Sequence, residues 1–179
     1  MSPTATSPLL VAHLLTLATL MGLVLAAAIG DIKTYRIPNA VSFALLALYP
    51  FFALTAPYSV APLASLGIMA AALALGFAMF SLRMIGGGDV KLLTAVTLFA
   101  GPVLVMDFIL VVAVAGGAIA LVMMSDQTRF ALASAFDQVG SPTLRNAVMA
   151  DVVPYGLAIA VGAVFLALRL AAIAADAAL

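Results

Sequence analysis

Apolar segments separated by short polar breaks run along nearly the whole chain of 179 residues. Hydrophobic residues make up 66% of the sequence, and charged residues only 8%. A soluble domain cannot bury that much apolar surface, so most of the chain must contact lipid or lie inside a membrane bundle. The pattern therefore predicts an all-α, polytopic membrane protein, in which residues 1–179 form a single domain.

Six of the apolar segments are expected to be transmembrane helices. They are residues 9–29, 40–55, 63–82, 90–100, 103–124 and 153–174. The fourth segment is short for a crossing of roughly 30 Å, and Gly101-Pro102 separates it from the fifth. In the polar region 125–152, residues 128–139 have the pattern of one short interfacial helix, ended by Gly140-Ser141-Pro142. The first thirty residues contain no Lys or Arg, so the first segment is expected to be retained as a span rather than cleaved as a signal peptide.

The basic residues give the expected orientation of these segments. Six of the seven Lys and Arg residues fall at the connections after odd-numbered segments, namely Lys33, Arg36, Arg83, Lys91, Arg129 and Arg145. An excess of Lys and Arg marks the cytoplasmic side of a membrane protein. This orientation places Asp31 at the inner end of the first helix and Asp89 at the inner start of the fourth. Two carboxylates that are distant in sequence are therefore expected at one membrane face.

Composition excludes several kinds of site and partner. Without cysteine there is no disulfide, thiolate zinc site or cysteine nucleophile, and a net charge of zero argues against nucleic acid as a partner. The only histidine, His13, precedes Asp31 by eighteen residues, or about 27 Å along a helix. We interpret it as structural, and we expect neither a metal nor a cofactor.

In the stretch Met84–Leu93, a run of three glycines is followed by Asp89 and Lys91. Asp89 is open to a simple interpretation as a helix N-cap. However, an ionisable side chain at membrane depth is a functional candidate. When two carboxylates share a site, one keeps its proton while the other ionises. Such a pair supplies a base for water and an acid for the leaving amine, as in aspartic proteases. From the helix dipoles alone, we expect Asp31 to keep the proton and Asp89 to ionise.

Three motifs resemble those of the prepilin peptidases, which are intramembrane aspartyl proteases with a G-x-G-D signature. In chain order they are Asp31 with Ile37-Pro38-Asn39, then Gly86-Gly87-Gly88-Asp89 with the stretch to Leu93, and finally Pro154-Tyr155-Gly156 before the last helix. The three motifs occur in the family's order, and together they cover nearly the whole chain.

This resemblance implies that Asp31 and Asp89 are the catalytic pair of a prepilin leader peptidase. The residues expected to shape the site are Pro38, Asn39, Gly86, Gly88, Lys91, Pro154, Tyr155 and Gly156. The implied substrate is the leader of a type IV or Flp-type prepilin, cut before the pilin's apolar helix at the cytoplasmic face of a bacterial inner membrane. The chain lacks the cysteine-bearing insertion of the bifunctional members, so it resembles the short, peptidase-only form, and methylation is not implied.

Simpler interpretations remain for the other charged residues. Lys33 and Lys91 are first of all membrane anchors. A solvated face is expected for Arg129, Asp137 and Arg145, whereas Asp107 and Asp176 are interpreted as helix-end charges on the outer side.

Two other functions also remain open: a small transporter or proton channel with paired aspartates, and a non-enzymatic pilus assembly subunit. Neutralising either aspartate would abolish cleavage by a protease or flux through a transporter, and would leave a scaffold intact.

Overall fold

The computed structural model describes residues 8–34, 36–140, 142–149 and 155–178, and every regular element within these ranges is an α-helix. The helices are α1 (Pro8–Thr34), α2 (Asn39–Thr55), α3 (Pro62–Ser81), α4 (Gly87–Met124), α5 (Asp126–Gln138), α6 (Pro142–Met149) and α7 (Tyr155–Asp176). Among the described residues, α1, α3, α4 and α7 are each long and apolar enough to cross a membrane, and α2 is a shorter apolar helix. The predicted all-α membrane fold is confirmed.

Helix α4 is two helical segments joined at Gly101, where the sequence predicts a break. Gly101 has φ 57° and ψ −169°, a conformation that a side chain disfavours, and Pro102 follows it. Before the break, residues 87–100 extend only about 21 Å, and every residue from Thr94 to Ala100 is buried. This burial shows how a segment too short for a full crossing is accommodated, because its neighbours shield it from lipid.

The chain reverses direction at Gly101. Before the break, Lys91 contacts Asn39 at the start of α2, and Phe99 packs on Phe52 near the end of α2. After the break, α4 returns antiparallel to α7, so that Gly116 lies against Tyr155 at the first residue of α7. Counting both parts of α4, a helix lies within each of the six predicted membrane segments; residues 153–154, at the start of the sixth, lie outside the described residues.

We call the end of the bundle that contains Lys33, Arg36, Arg83, Lys91, Arg129 and Arg145 the charged end. Helices α1, α3 and the second part of α4 finish at this end, and α2, the first part of α4 and α7 begin there. Arg169, Asp107 and Asp176 lie towards the opposite end and are exposed. The charge asymmetry predicted from the sequence is therefore also an asymmetry of the folded bundle.

Small residues allow the central helices to pack closely. Gly162 of α7 lies directly against Val112 and Phe108 of α4, and a Cβ added at Gly76 of α3 would be 2.6 Å from Val90 Cγ1. Lipid is as apolar as the side chains, so helix association in a bilayer depends on such close backbone contact and on hydrogen bonds.

A buried stripe along α1 orients Asp31. Leu17, Leu20, Val24 and Ala27 recur at intervals of three and four residues, and each is at most 3% exposed. This spacing places them on one helix face. Asp31 is the next member of the stripe and is itself 7% exposed. Its carboxylate therefore faces the bundle rather than lipid.

His13 makes a structural contact at the opposite end. Its Nε2 is 3.1 Å from the Tyr58 hydroxyl, and its Nδ1 is 3.3 Å from Thr55 Oγ1. Because Thr55 donates its own proton to the Phe51 carbonyl, Nδ1–H donates to Thr55 and Nε2 accepts from Tyr58. Burial raises the pKa of the Tyr58 phenol, so that it remains a donor. The neutral ring ties α1 to the α2–α3 connection.

The polar region after α4 contains two short helices, not the single one expected. The expected helix is α5, and Gly140 follows it with φ 70°. The second is α6, whose last carbonyls, of Val148 and Met149, accept hydrogen bonds from Arg129. Arg129 was expected on a solvated face, but its side chain is only 16% exposed because it caps α6. Asp137 and Arg145, 3.7 Å apart, are both substantially exposed, as expected.

Replacing Gly162 with Val should destabilise the protein by about 1–3 kcal/mol, because the added methyl groups overlap Val112 and Phe108. Gly117 is the matched control, since a Cβ there meets nothing within 4 Å. Thermal unfolding in detergent measures both variants. Equal losses at the two positions would contradict the packing described.

Replacing His13 with Leu should cost about 1–3 kcal/mol of stability, because the partly buried Tyr58 hydroxyl loses its acceptor. The double variant His13→Leu/Tyr58→Phe should lose less than the sum of the two single variants, because the second change removes the orphaned group. Strictly additive losses in the same unfolding assay would rule out the contact.

Candidate active site

Three helix ends meet at the charged end, and each contributes one residue. Asp31 is in the last turn of α1, Asp89 is the third residue of α4, and Gly156 is the second residue of α7. The Gly156 N–H donates a 3.0 Å hydrogen bond to Asp31 Oδ2. This amide is among the first in α7, which have no partner within their own helix. This one contact therefore satisfies the free amide of Gly156 and also fixes the position of the Asp31 carboxylate.

A side chain at position 156 is incompatible with this contact. An added Cβ would be 2.8 Å from Asp31 Oδ2 and 3.0 Å from Asp31 Cβ. The neighbouring Tyr155 packs on Gly116, where an added Cβ would be 3.0 Å from the Tyr155 hydroxyl. Tyr155 and Gly156, both predicted to shape the site, thus set how closely α7 approaches Asp31. Pro154 lies outside the described residues.

Asp89 does not occupy the N-cap position of α4, which belongs to Gly86. The interpretation of Asp89 as the N-cap residue is therefore wrong, although one of its carboxylate oxygens still stabilises the start of the helix. Oδ2 lies 2.8 Å from where a Gly86 Cβ would be, and the carboxylate hydrogen-bonds the Gly86 backbone, as a third-position residue does in a capping box. Oδ1 is buried without a hydrogen-bond partner in the described structure. One oxygen therefore positions the side chain, and the other is unengaged.

The structure brings Asp31 and Asp89 together, close enough for their charges to interact. Like charges in a partly buried site oppose simultaneous ionisation. The arrangement can therefore hold one protonated and one ionised carboxyl group. Such a pair is suited to general acid–base chemistry on a water molecule.

The glycine run brings the α1–α2 connection against α4. A Cβ at Gly88 would be 3.2 Å from Ile37 Cβ, and one at Gly87 would be 3.2 Å from Phe80 Cε2. Gly86 is exposed. Without side chains, Gly87 and Gly88 allow close packing at the start of α4, and Gly86 leaves room for the Asp89 carboxylate.

Lys91 and Asn39 form a polar contact beside the pair. Lys91 Nζ donates a 3.0 Å hydrogen bond to Asn39 Oδ1. Asn39 does not cap α2, because Pro38 occupies the N-cap position and no side chain makes a capping bond there. The Asn39 side chain binds Lys91 instead. Lys33 is exposed in the last turn of α1.

No cluster of three or more His, Cys, Asp or Glu side chains suitable for a metal occurs within the described ranges. Sequence reasoning did not anticipate two of the contacts at the site. Ile37 contacts Gly88, and Gly116 receives Tyr155. The only signal for Gly116 is the pair Gly116-Gly117 in an apolar segment, which does not identify a partner.

Comparison with known proteins identifies the family of this chain. A model of the type IV leader peptidase family matches residues 18–121, a range that includes both Asp31 and Asp89. Searches of curated proteins and of solved structures gave no match. The family match covers more than half of the chain, and the chain belongs to the type IV leader peptidase family.

Proposed function

We propose that this family member is a membrane-embedded aspartic endopeptidase that removes the leader of type IV or Flp-type prepilins at the cytoplasmic face of a bacterial inner membrane. The observation that carries the proposal is that Asp31, held by the Gly156 amide, lies close enough to Asp89 for the two charges to interact, while Asp89 Oδ1 has no hydrogen-bond partner in the described structure. Membership of the family indicates a peptidase. The aspartic mechanism and the prepilin substrate are part of our proposal.

In the proposed mechanism, the ionised carboxylate accepts a proton from water as the water oxygen bonds to the scissile carbonyl carbon. The protonated carboxyl group stabilises the developing oxyanion. When the carbon–nitrogen bond breaks, a proton passes to the leaving amine, and the products are a free carboxylic acid and a free amine. Asp31 and Asp89 are sufficient for each proton transfer.

The acid and base roles are assigned to the pair as a unit. The expectation that Asp31 keeps the proton rests on the dipole of α1 alone. However, Asp31 also faces the N-terminus of α7, and a helix N-terminus favours negative charge. Because the two dipoles oppose each other at Asp31, they do not distinguish its role from that of Asp89.

Two features support cleavage at the cytoplasmic surface over transport. Six of the seven Lys and Arg residues are at the end of the bundle that contains the aspartates, and such an excess marks the cytoplasmic side. The aspartates also lie in the terminal turns of their helices, whereas transporter sites lie near the bilayer midplane.

Asp31→Asn and Asp89→Asn should each reduce cleavage of a prepilin leader by about 10²–10⁴-fold, because each removes one of the two proton-transfer groups. The double variant should be little worse than either single variant, since the two groups act together. Cleavage is measured by the mobility shift of a purified prepilin in detergent. Asp107→Asn, at the opposite end, is the control.

A single Asn variant that retains substantial cleavage would rule out the aspartic pair. Proton or solute flux that depends on both aspartates, without cleavage, would favour the transporter alternative. A protein indifferent to both substitutions would favour an assembly subunit.

Gly156→Ala should reduce cleavage about 100-fold while the protein still folds, because the added methyl group displaces the Asp31 carboxylate by an amount that catalytic geometry does not tolerate. Gly22→Ala in α1 is the control, since a Cβ there meets nothing within 4 Å. Wild-type kcat in Gly156→Ala would show that the contact with Asp31 does not position it for catalysis.

A further inference from the structure

The helices that carry the two aspartates have little direct contact with each other. Among the described residues, α1 packs mainly on α7 and α2, and α4 packs mainly on α7, α3 and α2. Helices α7 and α2 each pack on both of the others, so they set how far apart Asp31 and Asp89 lie. On the α7 side, the Gly156 amide holds Asp31. The α2 side has contacts of its own at the same end of the bundle.

The α1–α2 connection lies against both of the helices that carry the aspartates. On the α1 side, a Cβ added at Gly30 would be 3.7 Å from the Arg36 carbonyl oxygen. On the α4 side, a Cβ added at Gly88 would be 3.2 Å from Ile37 Cβ and 3.6 Å from the Ile37 backbone nitrogen. Each of these glycines immediately precedes one of the two aspartates. The connection therefore reaches from the end of one aspartate's helix to the start of the other's.

One hydrogen bond fastens the connection to α4, two residues beyond Ile37. Lys91 Nζ donates to Asn39 Oδ1 at 3.0 Å, and Asn39 is the first residue of α2. Lys91 follows Asp89 by two residues, which rotates it about 200° from Asp89 around α4. Its ammonium group therefore lies on the other side of the helix from the reacting atoms. The contact holds α2 against α4 and takes no part in proton transfer.

We propose that the hydrogen bond between Lys91 and Asn39 is a positioning contact, which sets the separation of Asp31 and Asp89 from the α2 side. This inference rests on the proposed function. The packing of Ile37 on Gly88 limits how closely the connection approaches α4. It does little to prevent the connection from moving away, because lipid replaces an apolar contact at small cost. The hydrogen bond supplies that restraint.

Kinetics test the contact. Asn39→Leu removes the acceptor without changing any charge, and it should lower kcat for leader cleavage about 10- to 100-fold, because a displacement of about 1 Å is enough for such a loss. KM should be unchanged, since neither side chain contacts the substrate. Lys91→Met should have the same effect, and the double variant Asn39→Leu/Lys91→Met should be little worse than either single variant, because the two groups form one contact.

Two further variants separate the contact from general damage to the fold. Lys91→Arg still donates to Asn39 and should keep most of the wild-type kcat. Ala40→Leu is the matched control for Asn39→Leu, because Ala40 is the next residue of α2, is also exposed, and receives the same new side chain while Lys91 keeps its partner. Its kcat should be that of the wild type.

The pH range of cleavage gives a readout that loss of stability alone would not change. Repulsion between the two carboxylates keeps one proton on the pair as the pH rises. A larger separation weakens this repulsion, so the second carboxyl group ionises more easily. Asn39→Leu should therefore move the alkaline limit of cleavage to lower pH. The neighbouring cations Lys33, Arg36 and Lys91 remain in place in this variant, so the shift reports the separation of the pair.

Spin labels test the separation without any substrate. Since the chain has no cysteine, labels can be placed on Lys33→Cys, in the exposed last turn of α1, and on Met84→Cys, which is 65% exposed just before α4. Double electron–electron resonance in detergent measures the distance between them. Adding Asn39→Leu should broaden the distance distribution, and adding Ala40→Leu should leave it unchanged.

An unchanged distance distribution in Asn39→Leu, or a kcat and alkaline limit equal to those of the wild type, would overturn the proposed positioning role. A fall in kcat that is equally large in Ala40→Leu would also overturn it. If the wild-type protein does not cleave a purified prepilin, the proposed function is wrong, and the label distances still show whether the contact holds the two helices.

Discussion

The hydrogen bond from the Gly156 amide to Asp31 joins residues 125 positions apart, and the site depends on it. It links the end of α1 to the start of α7, and both helices also pack on their neighbours through small or buried side chains. A side chain at 156 would occupy the place of the carboxylate. The absence of a Cβ is therefore what allows a helix terminus, with its free amide, to serve as the binding partner of an intramembrane aspartate.

Polar contacts hold the two ends of the bundle, and close packing of small residues holds the middle. At the charged end these contacts are Asp31 with Gly156 and Lys91 with Asn39, and at the opposite end His13 bonds Tyr58 and Thr55. Lipid removes most of the hydrophobic driving force between helices. These few hydrogen bonds therefore contribute more to specifying how the helices pack than they would in the core of a soluble protein.

The sequence predicted what depends on local pattern or on overall charge. The apolar segments, the break at Gly101 and the end of the bundle at which Asp31 and Asp89 lie all follow from hydropathy, backbone chemistry and the distribution of Lys and Arg. Contacts between distant residues could not be predicted in the same way. Asparagine is a residue type that often caps helices, but the Asn39 side chain binds Lys91 instead. The helix α6 is short and polar, and it is stabilised from outside by Arg129, a partner that no local pattern identifies.

Asp89 can stabilise the start of its own helix and still be available to the candidate active site. One carboxylate oxygen serves the start of α4 through Gly86, and this restrains the side chain before any substrate arrives. The other oxygen has no hydrogen-bond partner among the residues that the structure describes. A carboxylate with both oxygens engaged would be a weaker base, whereas one with neither engaged would lose orientation, and the division between the two oxygens avoids both. Gly86 permits this division, because a Cβ at that position would lie only 2.8 Å from Asp89 Oδ2 and would displace the oxygen that positions the side chain.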